Sequence, residues 1–126
     1  MAVITSTSGT SSVTTLIRDL DSDNTVEDDV AGGAANIQQI FIDNTNNTST
    51  PFYLHLWDAT GSITLGTTKP DTVLYCPANS SKHYVFPKNL VFGTGICVAG
   101  TRNNAAVTYS PLNPANNVAI GIYISA

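Results

Sequence analysis

A chain of 126 residues is long enough for one domain with a real core, because folding at this size removes roughly two thirds of the unfolded surface from water. Hydrophobic residues make up 42% and charged residues only 11%, against roughly 25% in an average soluble protein, so the polar surface must be mostly Thr, Ser and Asn and suits contact with other protein. A net charge of −4 with only five Lys or Arg leaves no basic footprint for direct nucleic-acid binding, and no apolar stretch approaches the roughly 18 residues that cross a membrane as a helix.

Residues 1–12, MAVITSTSGTSS, lack the basic and apolar regions of a signal peptide and read as a flexible or extended arm in front of one domain at 13–126. Such arms order on a neighbour, and Val3, Ile4 and Val13 are the apolar residues with which this one would grip. VTTLIRDL (13–20) is a first strand, filled with β-branched and apolar residues. The acidic segment DSDNTVEDDV (21–30) follows, with room for one helical turn near its end.

Asp19, Asp21 and Asp23 match the first, third and fifth positions of a calcium loop, where several carboxylate oxygens must converge on a hard cation. Asn24 stands where that loop wants Gly, Val30 where it wants Glu, and flanking helices are missing. A solvated acidic turn between strands is the plainer reading, with calcium the weaker candidate.

AGGAA (31–35) is a loop, and NIQQIFIDN (36–44) is a strand with Ile37, Gln39 and Phe41 on one face and Gln38, Ile40 and Ile42 on the other. PFYLHLWDA (51–59) directs Phe52, Leu54 and Leu56 to a core and Tyr53, His55 and Trp57 to the opposite face. That second face is open to three readings: a second buried face, a protein interface anchored by Tyr53 and Trp57, or an aromatic platform for a sugar ring. SITLG, TVLYCP and KHYVFP add three short strands, with ANSS (78–81) as the hairpin loop between the last two. GICVAGT and NNVAIGIYISA close the chain, the latter alternating Ile120, Ile122 and Ile124 against Gly121 and Tyr123. A strand this apolar belongs inside a sheet, since an edge position would invite aggregation. Eight to ten short strands separated by turns predict an all-β, antiparallel two-sheet sandwich, jelly-roll-like, with the extended N-terminal arm.

No residues converge on a recognisable chemistry. Cys76 and Cys97 are too few for a disulfide scaffold and read as buried thiols, with a bond between neighbouring strands as the lesser option. His55 and His83 stand on separate strands, and neither a nucleophile elbow nor a phosphate-cradling loop is present. The chain is expected to be non-enzymatic, with no catalytic residue and no cofactor.

From Phe52 to Ile124 the pieces run in a definite order. An aromatic strand leads to a Leu-Gly-Thr turn with a Pro soon after, then a strand ending in Pro-Ala and a polar turn. A second aromatic strand, a Gly-rich strand ending in Val-Ala-Gly and an apolar terminal strand complete it. This order resembles small all-β virion proteins of tailed bacteriophages, of the capsid decoration or cement type. The resemblance implies a protein made in the host cytoplasm and carried on the outer surface of the capsid, with the major capsid protein as partner and a homotrimer as its form. A tail, neck or fibre-associated virion protein of the same fold, or a glycan- or receptor-binding module, are the alternatives it leaves.

Overall fold

The computed structural model describes residues 3–7, 14–104 and 111–125, and among the described residues there are eight strands. They are β1 (Val3–Thr7), β2 (Thr14–Asp19), β3 (Ala35–Asp43), β4 (Phe52–Trp57), β5 (Thr72–Cys76), β6 (Ser81–Phe92), β7 (Cys97–Thr101) and β8 (Ala119–Ser125). Two antiparallel sheets result, one of five strands in the order β1-β2-β8-β3-β6 and one of three in the order β5-β4-β7. They form the predicted all-β sandwich, and β8 lies between β2 and β3, where its apolar sequence requires it to be.

The core is the aliphatic alternation of the large sheet set against the small one. Ile17, Ile40, Ile42, Ile120, Ile122 and Ile124 face Phe52, Leu54, Leu56, Leu74 and Val98, all of them buried. Strict alternation places Ile37 on the face opposite Ile40, yet Ile37 is also buried. A bulge between Ile37 and Gln39 resolves the conflict: one extra residue in β3 against β8 returns Ile37 to the core side, and against β6 the register jumps at the same place from Leu90 to Val85, the surplus there lying in β6.

Sequence periodicity misplaces three connections. SITLG is not a strand; the N–H groups of Thr67 and Thr68 both donate to Thr64 O, and Ile63 and Leu65 lie over Trp57. The loop after β5 is not a hairpin loop, because β5 and β6 belong to different sheets and the chain turns from one layer to the other. Tyr84 pins that crossing by donating its hydroxyl hydrogen to Tyr75 O. The acidic segment is neither helical nor a free turn. Glu27 and Val98 exchange both backbone hydrogen bonds, at 2.8 and 3.0 Å, while Gly100 N–H donates to Asp23 O and Val30 N–H to Ile96 O. Residues 23–30 thereby cover the free edge of β7 before a turn at Asp29 (φ 48°) and Gly32 (φ 72°) sends the chain into β3.

The end of the sandwich is closed by asparagines. Asn44 Nδ2 donates to Thr50 O and Pro77 O, and Asn47 Nδ2 to Asn44 Oδ1 and Asn116 O, while Asn47 Oδ1 accepts from Asn116 N–H. Both Asn44 and Asn47 are buried, and their amides replace the backbone partners that three converging loops cannot give one another.

Candidate functional site

The outer face of the five-stranded sheet carries an open apolar groove. Leu16, Arg18 and Leu20 from β2 and the residues after it, Phe41 from β3, and Ala119, Ile120, Gly121 and Tyr123 from β8 line an open groove of about 310 Å³. Register sets their positions: Arg18, Gly121, Phe41 and His83 form one cross-strand row, and Leu16, Tyr123, Gln39 and Val85 the next. Gly121 lowers the floor because it has no side chain, and Leu16 leans over it, since a Cβ there would meet Leu16 Cδ1 at 3.3 Å. Phe41 is held edge-on to His83 with ring centroids 6.1 Å apart, and His83 Nε2 is 2.5 Å from Gln39 Oε1. Leu20, Phe41 and Val85 remain exposed at 44%, 39% and 60%, so the face presents apolar area to solvent along its width.

The Tyr53, His55 and Trp57 stripe divides. Trp57 is buried with Cys97 and Ala99 beneath Val26, Ala59, Ile63 and Leu65, and its indole N–H donates to Thr68 O at 3.0 Å. His55 is fully buried and stacks on Trp57 at 6.0 Å. The expectation of Trp57 as an interface residue is therefore corrected: the loop after β4 already covers it, making a second small core outside the three-stranded sheet. A sugar platform across all three residues is corrected for the same reason. Tyr53 alone stays half-buried, paired with the exposed Tyr75 at 5.2 Å.

Of the arm residues, Val3 packs half-buried against the core of its own domain, and Ile4 occupies the β1 register position opposite Arg18. Val13 lies outside the described residues. Asp19, Asp21 and Asp23 are engaged separately: Asp19 Oδ1 accepts the Asp21 N–H and Asp23 Oδ1 the Thr25 N–H. Among the described residues no group of three or more His, Cys, Asp or Glu side chains is placed to hold a metal ion. Cys76 pairs opposite Phe52 and Cys97 opposite Trp57, at opposite ends of β4 and on its two flanking strands, too far apart for a disulfide. Burial raises the pKa of both thiols.

Two buried ionisable groups were not foreseen as such. Asp19 is 1% exposed, its Oδ2 has no hydrogen-bond partner, and burial, with smaller help from the carboxylates of Glu27, Asp23 and Asp21, pushes its pKa up to about 6 against the lowering effect of the Asp21 N–H. His55 Nε2 lies 2.9 Å from Thr101 Oγ1, and that hydroxyl donates to Asn103 O, so the imidazole carries its proton on Nε2. Its Nδ1 is left without a partner, and burial lowers the pKa to about 4.

Asp58 stands out among the exposed acids. Its Oδ1 accepts the N–H groups of Thr94 and Gly95 and its Oδ2 that of Gly93, which tie the loop after β4 to the β6–β7 connection and lower the carboxyl pKa. Asp58→Ala is expected to lower Tm by about 3 °C, the effect of losing charge-assisted bonds at a solvated site; an unchanged melting curve would show that the three N–H groups are as well served by water.

No helix among the described residues is long and apolar enough to cross a membrane. No family model matches the chain, and neither a curated protein nor a solved structure matches it.

Proposed function

We propose that the chain is a structural protein of a phage virion, a capsid decoration or cement protein that docks on the major capsid protein from the outer surface of the head and acts as a homotrimer without catalysis or cofactor. The order of strands and turns from Phe52 to Ile124 carries this reading. The two-layer sandwich adds support through the weakly charged, apolar outer face of its large sheet. A small protein that bridges several capsid subunits stabilises an expanded lattice by burying area across each seam. Standard interfaces of roughly 1,600 Å² span micromolar to picomolar affinity, so modest contacts repeated by symmetry hold through avidity. The burial of His55 and Trp57 speaks against the glycan-binding alternative.

β1 forms an edge of the large sheet, and among the described residues no strand pairs with its outer side, which could take a strand of a neighbour. Heads lacking the chain are expected to burst at a lower temperature than heads to which it has been added back, with a version lacking residues 1–12 attaching more weakly in co-sedimentation. Equal bursting temperatures would contradict a cement role, and attachment confined to tails would move the protein to the tail, neck or fibre.

A further inference from the structure

Arg18 is the charged residue in the Gly121 groove, and among the described residues no carboxylate or hydrogen-bond acceptor pairs with it. Its side chain is exposed, and the register sets it beside Gly121 and, across that glycine, Phe41. A guanidinium with no partner among the described residues, walled by Leu16, Leu20, Phe41 and Tyr123, leaves its charge available to a carboxylate from outside. Asp43, on β3 beyond β8, accepts the N–H and hydroxyl of Thr45 instead. Asp19, next in sequence to Arg18, is turned into the protein. Gly121 has a strand on each side and, with no side chain of its own, leaves a low floor on which Leu16 closes one side and Phe41 and Tyr123 bound the rest.

We propose that this groove is a docking pocket for a partner-protein segment that seats one large apolar side chain over Gly121 and sets an adjacent Asp or Glu against Arg18. The inference rests on the reading of the chain as a virion structural protein and names the kind of segment its partner presents. The groove's volume, about 310 Å³, fits one or two side chains better than an extended ligand, and its open side leaves the partner's backbone outside. Anchors of this kind carry most of the affinity of an interface, while a rim charge sets register and partner choice. The guanidinium fork takes a carboxylate in two parallel hydrogen bonds, a geometry a lysine would not reproduce.

Amide chemical-shift titrations of the intact chain with two acetylated, amidated tripeptides, Asp-Leu-Phe and Lys-Leu-Phe, test the pocket without any virion component. The acidic peptide is expected to shift the amides of Arg18, Phe41, Gly121 and Tyr123 and to bind about threefold or more tighter than the basic one, the range of a partly exposed ion pair. Arg18→Glu should reverse that preference. Gly121→Val, which fills the floor with a good strand former, should weaken both peptides about tenfold while the melting temperature shows the sheet intact. Equal binding of the two peptides, shifts centred elsewhere, or an unchanged preference in Arg18→Glu would overturn the proposal. Binding of 3-phenylpropionate as tight as that of the acidic peptide would overturn it as well, by making the site one for a small amphiphile. Because no capsid is involved, failure here leaves the virion reading untouched, and a chain absent from particles would not by itself empty the pocket.

Discussion

Gly100→Ala is expected to lower the stability of the domain by about 3 kcal/mol, the upper end of what overpacking a core costs. Gly100 sits in β7 with its missing side chain directed inward, onto the ring of Phe52. An added Cβ would lie 2.4 Å from both Cε1 and Cζ of that ring and 2.7 Å from Ser22 Oγ. Phe52 and Ser22 are both buried, so neither can swing into solvent to make room. The strand cannot retreat either, because Gly100 N–H is held by Asp23 O at 2.7 Å, in the run of bonds that joins the acidic segment to β7. Gly93→Ala is the matched control, since a Cβ there meets nothing within 4 Å and should change stability by less than about 0.5 kcal/mol. Phe52→Leu is destabilising alone, but in the Gly100→Ala background it should recover part of the loss, a coupling readable from urea midpoints. Equal midpoints for the two alanine variants would show that Phe52 does not rest on Gly100.

Stability is expected to be nearly level between pH 4 and 6, and the level curve conceals two opposed titrations. Asp19 has its pKa raised from 3.8 to about 6, so the folded protein binds the proton more tightly than the unfolded chain. Its burial therefore costs stability fully above pH 6, and the cost fades as pH falls toward 4. His55 has its pKa lowered from 6.5 to about 4, so the folded protein resists protonation. Stability present above pH 6.5 is lost as pH falls toward 4. Each shift is worth about 3 kcal/mol by linkage, with opposite sign. Asp58, whose pKa is depressed, loses its contribution only below about pH 4, where an unfolded carboxylate titrates, and stays outside this window.

Asp19→Asn should thus raise stability by about 2–3 kcal/mol at pH 7 and leave a curve that falls with acid. His55→Gln, which keeps a donor toward Thr101, should leave a curve that rises with acid. Urea unfolding at five pH values checks both. A variant curve that runs parallel to the parent's would show that the substituted group is not responsible for its share.

Phe52, Leu54 and Leu56 were legible as core because strand alternation needs only local pattern, and β8 was legible as an inner strand because its apolar content permits nothing else. Ile37 was assigned to the wrong face because a bulge leaves no trace in hydrophobicity. His55 and Trp57 were ambiguous because their burial depends on a loop, 58–70, whose Ile63 and Leu65 looked like a strand of their own. The acidic segment looked solvated because charge count says nothing of its backbone, and the backbone is what bonds to β7. Arg18, Phe41 and Gly121 converge only after three strands separated along the chain are set side by side, so no local signal marked the groove.

The proposed role as a capsid coat stands or falls on the copy number of this chain in purified particles relative to the major capsid protein. Copies comparable in number to the capsid subunits are the predicted result, as repeated docking across a lattice requires. A handful of copies, or none, would contradict it.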